Sequence, residues 1–211
     1  MAEYVLNCFD KSGNSYKAAL MLELAGCDWE PRLVDYFHGE TRGKDYRALN
    51  VMGEAPVLIH GATVLSQSGV ILDYLAEITG WYGPETPEER REILRWILFD
   101  NHKLSSYTAT LRFLRAIAKS GETPVTEFLE NRARGAWRVL DRQLRDRDFV
   151  IGGRPTIADL SLCGYLFYDG ESGIDIAEYP AMAAWRERIR ALPGWKSPSE
   201  LMPVAPLPAS F

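Results

Sequence analysis

Two groups of small polar residues precede predicted helices, and they are the residues of this chain best suited to bind or activate a ligand. One is the turn at residues 10–17, which reads DKSGNSYK, and the other is the run Ser66-Gln67-Ser68. A serine oxygen at a helix start can accept a hydrogen bond from the free N–H groups of the first turn, which is ordinary capping. The same N–H groups and the helix dipole can also hold an anion. Each group is therefore either a helix cap or part of an anion site, and both interpretations stay open.

The segment ahead of the second serine group contains a proline and a predicted hairpin. Residues 57–59 and 63–65 are short β-type runs separated by a turn that contains Gly61, a pattern typical of a β-hairpin. Proline removes a backbone donor and keeps the preceding Ala55 extended. If the Ala55-Pro56 bond is cis, the backbone of Ala55 is exposed and can pair with an extended peptide. Together with the serine pair, this segment predicts a site for a small extended peptide acid.

An apolar residue before proline, a hairpin and a Gln-Ser pair at a helix start resemble the glutathione site of the glutathione transferase superfamily, and the resemblance covers the whole chain. In that family the proline is cis, and the residue before it pairs with the cysteinyl backbone of glutathione; these positions match Pro56 and Ala55. The serine that binds the γ-glutamyl carboxylate matches Ser68, and its acidic or amide neighbour matches Gln67. Most members carry Glu or Asp at the neighbouring position, and zeta-like members carry Gln. The resemblance implies glutathione as co-substrate, with weaker charge pairing at the neutral Gln67.

The resemblance also implies a role for the first polar turn, where the family carries a Tyr, Ser or Cys that hydrogen-bonds the glutathione sulfur. Aligned through Tyr16 and Lys17, Ser12 matches the serine of zeta-like members. Asn14 falls where beta-like members carry cysteine, and Ser15 is a third candidate. A free thiol has a pKa of about 8.5, so little of it is thiolate at about pH 7. A hydroxyl or amide donor at a helix start lowers that pKa, so we predict Ser12, then Asn14, as the catalytic residues.

Two further side chains are candidates for the glycine end of glutathione. Arg42 lies in the polar loop 38–42, where the resemblance places groups that hold the glycine carboxylate, and a guanidinium is a suitable donor. A solvated surface charge is the alternative for Arg42. Glu54 aligns with a position that often contacts the same end, although its own carboxylate would repel that of the glycine.

The resemblance implies a glutathione transferase that activates the thiol for attack on a small hydrophobic electrophile, and it implies a homodimer. A glutathione-dependent cis–trans isomerase is an alternative, suggested by Gln67-Ser68 and Ser12. Against it, the Ser-Ser-Cys-Ser-Trp pattern of zeta members is replaced here by the five residues 12–16. A non-enzymatic ligand-binding or stress protein on the same fold is a second alternative, because a fold does not determine a function.

The elements that must position these residues follow from hydrophobic periodicity. Residues 1–80 have a βαβ-α-ββα order, which fits an α/β thioredoxin-like domain. A linker rich in proline and glycine follows at 81–87, and residues 88–211 are predicted to form an all-α domain that contributes the electrophile site. Predicted strands cover 4–9, 29–36, 57–59 and 63–65, and predicted helices cover 16–24, 44–49, 70–78, 88–119, 123–146, 156–169 and 180–191.

Composition excludes several other functions. The chain has 211 residues, 46% of them hydrophobic, and a net charge of −5, so nucleic-acid binding is not expected. No apolar run approaches the roughly 18 residues of a membrane span. The start lacks a signal-peptide pattern, which predicts a cytoplasmic location. The three cysteines and three histidines are scattered, so neither a disulfide framework nor a metal site is expected.

Three structural features complete the expectations. Thr156 and Asp159 have the spacing of a capping box ahead of an apolar helix, so Asp159 is assigned to folding. Cys8 lies on the first predicted strand and is expected to be a buried thiol. The tail from Ser197 contains four prolines and is expected to extend over the surface.

Overall fold

A four-stranded mixed sheet organises the first part of the chain in the computed structural model, which describes residues 2–209 and 211. Its strands are β1 (Tyr4–Cys8), β2 (Trp29–Leu33), β3 (Val57–His60) and β4 (Thr63–Ser66). The strand order is β2-β1-β3-β4, with β1 parallel to β2 and antiparallel to β3. The β3–β4 hairpin is confirmed, and Gly61 adopts a φ of 56° in its turn. β2 ends three residues before the predicted boundary.

The helices of this part are α1 (Gly13–Leu24), α2 (Lys44–Leu49) and α3 (Ser68–Thr79). α1 and α3 pack against each other, and their apolar residues Leu20, Leu72 and Leu75 are fully buried. Burial of a leucine side chain contributes roughly 1.5–3 kcal/mol, so these contacts hold the two helix starts in a fixed relation. The predicted thioredoxin-like fold is confirmed.

The C-terminal tail belongs to the same unit as the sheet. One unit comprises Met1–Gly83 together with Leu192–Phe211, and the other comprises Pro84–Ala191. From the sequence, residues 192–211 were predicted to belong to the helical domain, and the tail from Ser197 was predicted to lie on the surface. Instead, α9 (Pro198–Leu201) is followed by Ala205, which is only 1% exposed and lies in an apolar cluster with Phe9 and Val57.

The second unit is helical, as predicted. Its α-helices are α4 (Pro87–Phe99), α5 (Ser105–Arg112), α6 (Pro124–Leu144), α7 (Ile157–Leu162) and α8 (Pro180–Arg190). α4 and α5 were predicted as one helix, and they are joined by a π-helical turn, Asp100–Leu104. The carboxylate of Asp100 is fully buried and accepts hydrogen bonds from Ser105 (2.7 Å) and Ser161 (2.6 Å).

The predicted capping box at the start of α7 is confirmed. The side chain of Thr156 accepts a hydrogen bond from a backbone N–H of the helix, and the carboxylate of Asp159 accepts one from the backbone N–H of Thr156 at 2.9 Å. Asp159 also accepts from the backbone N–H of Val150 and the indole of Trp185, both at 2.9 Å. Helix α7 is shorter than predicted because Gly164 follows it, and glycine weakens a helix.

Candidate functional site

Helix α3 begins without a side-chain cap. Gln67 occupies the capping position with a φ of 69° and a ψ of 115°, and its side chain makes no capping hydrogen bond. Ser68 is the first helical residue and is only 5% exposed. The capping interpretation is therefore wrong for this serine. Within residues 2–209 and 211, no side chain accepts from the N–H groups of the first turn, which leaves them able to hold an anion. The positive φ of Gln67 is rare for a residue other than glycine, and such geometry concentrates at functional sites.

Ser68 instead faces the start of the other site helix. Its hydroxyl lies 3.5 Å from Oδ1 of Asn14, the second residue of α1. Asn14 is half-buried, and its amide nitrogen donates to no residue in the described part of the chain. Two helix starts and two donor side chains therefore converge on one place. Both helix dipoles favour negative charge there.

Ser12 is the residue that caps a helix. It is extended (φ −97°, ψ 106°), and its oxygen accepts from the backbone N–H of Ser15 at 3.1 Å. Ser12 is 6% exposed, and its hydroxyl hydrogen remains available for a second bond. Ser15 is fully buried, and its Oγ has no hydrogen-bond partner among the residues that the structure describes. Of the three candidates for the sulfur contact, Asn14 is the most accessible and Ser15 the least.

The Ala55-Pro56 bond is cis, as the resemblance implied. Ala55 is half-buried and packs against an apolar cluster that includes Tyr46 and Val57. Asn7 donates from its side chain to the backbone oxygen of Val57 at 3.2 Å, next to the cis bond. Buried contacts on both sides therefore hold this loop in place.

Glu54 lies beside Gln67. The amide nitrogen of Gln67 donates to Oε2 of Glu54 at 3.0 Å and also lies 3.1 Å from the sulfur of Met52. The family resemblance aligned Glu54 with a position that contacts the glycine end of glutathione. In the structure, the carboxylate of Glu54 instead accepts a hydrogen bond from Gln67, the residue before Ser68. Nothing in the local pattern around either residue signals this pairing.

Arg42 stays apart from this group. It ends a short 3-10 turn, Glu40–Arg42, and is exposed. Its guanidinium folds back over Gly39, where a Cβ would lie 2.6 Å from a guanidinium nitrogen. Within residues 2–209 and 211, Arg42 makes no ion pair. It is available for an incoming carboxylate, but no hydrogen bond connects it to Ser68 or Gln67.

The tail holds the turn that carries Ser12, which the sequence did not predict. The carboxylate of Asp10 accepts from the backbone N–H of Ala205 at 2.9 Å, and the N–H of Asp10 donates to the oxygen of Pro203 at 3.0 Å. Lys11 pairs with Asp10 at 2.8 Å. Because these contacts join the N-terminal and C-terminal parts of the chain, no local sequence pattern predicts them.

All three cysteine residues are at least partly buried. Cys8 and Cys163 are buried, and Cys27 is half-buried. Burial raises the pKa of Cys8 to about 12. The pKa of Cys27 is raised as well, first by burial and then by the negative charge of Glu3. The prediction of a buried Cys8 is confirmed, and this thiol is not an activated nucleophile.

The comparisons with known proteins agree with this geometry. The family model "Glutathione S-transferase, N-terminal domain" matches residues 12–78, and "Glutathione S-transferase, C-terminal domain" matches residues 106–193. A solved glutathione S-transferase from Pseudomonas fluorescens superposes with a TM-score of 0.89 and 31% identity, over 94% of this chain and 100% of the other. The chain belongs to the glutathione S-transferase family. It is an enzyme of that family, and the predicted combination of a thioredoxin-like and a helical domain is confirmed.

Curated relatives within this transferase family have different activities. The disulfide-bond oxidoreductase YfcG of Escherichia coli is 27% identical over 192 residues, 88% of this chain and 89% of the relative. Maleylacetoacetate isomerase of Rhizobium meliloti is 27% identical over 198 residues, 90% of this chain and 92% of the relative. Membership of the family is therefore compatible with more than one reaction.

In the described part of the chain, no group of three or more His, Cys, Asp or Glu residues is arranged to hold a metal ion. Across residues 2–209 and 211, no helix is both long enough and apolar enough to cross a membrane.

Proposed function

We propose that this enzyme binds glutathione at the start of α3 and activates its thiol for attack on a small hydrophobic electrophile. The observation that carries the proposal is the convergence of two helix starts, with the Ser68 hydroxyl 3.5 Å from Asn14 and no side-chain cap on α3. Ser68 and the free N–H groups bind the γ-glutamyl carboxylate. The backbone of Ala55, beside the cis bond, pairs with the cysteinyl residue, and Gln67 contacts the ammonium group. Arg42 is the proposed donor to the glycine carboxylate.

The thiol is ionised by the start of α1. The amide of Asn14 and the hydroxyl of Ser12 donate to the sulfur, and the helix dipole adds to the stabilisation of the negative charge. The proton released from the thiol passes to solvent. The thiolate then forms a carbon–sulfur bond with the electrophile while the leaving group departs with its bonding electrons. The reacting sulfur belongs to glutathione, since Cys8 is buried with a raised pKa.

An isomerase is the second candidate, favoured by Gln67, by Ser12 at the start of α1 and by the relative named maleylacetoacetate isomerase. In that reaction the thiolate adds reversibly to a cis double bond, rotation follows, and the thiolate leaves again. The same activated sulfur serves both reactions. Retained glutathione binding without turnover would instead identify a ligand-binding protein.

We also propose a cytoplasmic location and a homodimer. Light scattering on a sizing column tests the homodimer.

The deciding experiment measures glutathione-dependent turnover of three substrates by the purified protein. They are an aryl halide, a cis-dienoic diacid and a mixed disulfide of glutathione. Conjugation of the aryl halide that falls in Asn14→Ala supports the transferase. Turnover of the diacid alone identifies the isomerase, and turnover of the disulfide alone contradicts both.

A further inference from the structure

Glu54 presents a carboxylate that no cation neutralises. Its Oε2 accepts the amide N–H of Gln67 at 3.0 Å. In the described part of the protein, no Lys, Arg or His forms an ion pair with it, and the side chain is exposed. Among the described residues, none donates a hydrogen bond to the amide oxygen of Gln67. An anionic oxygen and an amide oxygen therefore lie together, both able to accept hydrogen bonds.

The position of Glu54 is set by the protein around it. Its backbone oxygen accepts from the side chains of Asn50 at 2.7 Å and Tyr46 at 3.2 Å. Both donors are only 4% exposed. The preceding Gly53 has a φ of 65°, and a Cβ there would lie 2.8 Å from the backbone oxygen of Thr41. The backbone at Glu54 is thus held closely against its surroundings, and the bond from Gln67 is the contact that orients the carboxylate.

Two consecutive residues of the protein favour ligand groups of opposite charge. Ser68 and the uncapped start of α3 favour an anion, as argued above. Gln67, the residue before, is bonded to the Glu54 carboxylate, which favours a cation. A ligand group that carries a carboxylate and an ammonium on one carbon matches both. That group is the α-amino acid head of a γ-glutamyl peptide.

We propose that Glu54 is a specificity-determining residue that recognises the free ammonium of the γ-glutamyl head and supplies the negative charge that Gln67 lacks. This inference rests on the proposed function, since it assigns one contact within the same glutathione site. It also removes the conflict noted in the sequence, because Glu54 then faces an ammonium and not the glycine carboxylate. Gln67 holds the Glu54 carboxylate in place and adds its own amide oxygen.

The test is calorimetric binding of glutathione and of glutathione acetylated on the γ-glutamyl nitrogen, at low salt, where surface charge is least screened. In Glu54→Gln the side chain can still accept the bond from Gln67, but the charge is gone. We expect the dissociation constant for glutathione to rise roughly tenfold, and that for the acetylated peptide to stay within about twofold. The matched control is Glu30→Gln, which removes the charge of an exposed glutamate on β2 and should change neither constant.

Moving the carboxylate from residue 54 to residue 67 by mutation gives a second, sharper test. The double variant Glu54→Gln with Gln67→Glu moves the carboxylate to the partner residue, so we expect it to recover most of the lost affinity for glutathione. Equal weakening of both peptides by Glu54→Gln would show a structural role only and overturn the inference. Unchanged glutathione binding in Glu54→Gln would overturn it as well. Failure of the wild-type protein to bind glutathione would overturn the proposed function, and this inference with it.

Discussion

The hydroxyl of Ser68 lies 3.5 Å from Oδ1 of Asn14, so the starts of helices α3 and α1 meet through their side chains. In the proposed site, α3 supplies the groups for a carboxylate and α1 supplies the groups for a thiolate. A single tripeptide can reach both because α1 and α3 pack together along buried leucines. The two helices that build the core of the sheet domain therefore also build its proposed ligand site.

Replacing Asn14 with Ala should lower kcat/KM for the aryl halide by about tenfold to a hundredfold, because one donor to the sulfur is lost. The pKa of the bound thiol should rise towards its free value of about 8.5. Less thiolate is then present at low pH, so the defect should be largest in acid and shrink as the pH rises. A pH–rate profile measures this, with Asn131→Ala on an exposed part of α6 as control. A defect that is equal at every pH would contradict the role in ionisation.

Ser12 needs two variants, because its oxygen caps α1. Ser12→Ala loses both the cap and the hydroxyl, and it should reduce the free energy of unfolding by about 1 kcal/mol. Ser12→Gly also lacks the hydroxyl but should lose only a few tenths of a kcal/mol. If the hydroxyl helps to ionise the thiol, both variants lose activity to the same extent. Activity that follows stability, with Ser12→Gly near wild type, would reduce Ser12 to a cap.

The cysteines should be dispensable. Burial raises the pKa of Cys8 to about 12, so very little of this thiol is ionised at about pH 8.5. We therefore expect negligible alkylation of Cys8 in the native protein at that pH, and an increase only in strong alkali or on unfolding. Mass spectrometry of the labelled peptides measures this, and Cys8→Ala should retain glutathione-dependent activity. Rapid labelling of Cys8, or loss of activity in that variant, would indicate protein-thiol chemistry.

Asp159 should matter for folding and not for catalysis. It is fully buried and accepts from Val150, Thr156 and Trp185. Asp159→Ala leaves these donors unsatisfied and should lower the free energy of unfolding by about 3 kcal/mol or more. Urea denaturation measures the loss. Asp146→Ala, at an exposed position beyond the end of α6, should change stability by no more than about 0.5 kcal/mol. Similar midpoints for the two variants would contradict this assignment.

The tail should stabilise the turn that carries Ser12. Removing residues 203–211 deletes the bonds of Asp10 to Pro203 and Ala205 and exposes part of the apolar cluster. We expect a loss of about 1–3 kcal/mol in the free energy of unfolding and a weaker affinity for glutathione. Removal of residues 208–211 alone keeps those bonds and serves as the control. Equal stability of the two truncated proteins would show that the tail is only a surface segment.

Much of this could be predicted from the sequence because its signals are local. The proline and the glycine turn lie in a short segment ahead of Ser68 and predicted the hairpin, and the helical periodicity directly after Ser68 predicted α3. The sequence could not decide between a cap and an anion site, because serines at both helix starts carry the same signal. Only the backbone geometry of Gln67 shows that α3 is uncapped.

Other features depend on contacts that no local pattern encodes. The pairing of Glu54 with Gln67 requires the hairpin to bring two separated side chains together. The burial of Ala205 depends on a cluster formed with Phe9 and Val34 of the sheet domain. Proline content predicted an extended tail, but it carried no information about what the tail covers.

The most direct test of the account is the affinity of the wild-type protein and of Ser68→Ala for glutathione, measured by calorimetry. Ser66→Ala is the matched control, since Ser66 ends β4 two residues earlier and lies outside the helix. The account predicts that Ser68→Ala weakens binding roughly tenfold or more, through loss of a donor to a charged carboxylate, and that Ser66→Ala binds like wild type. Equal affinity of Ser68→Ala and wild type would contradict the proposed site.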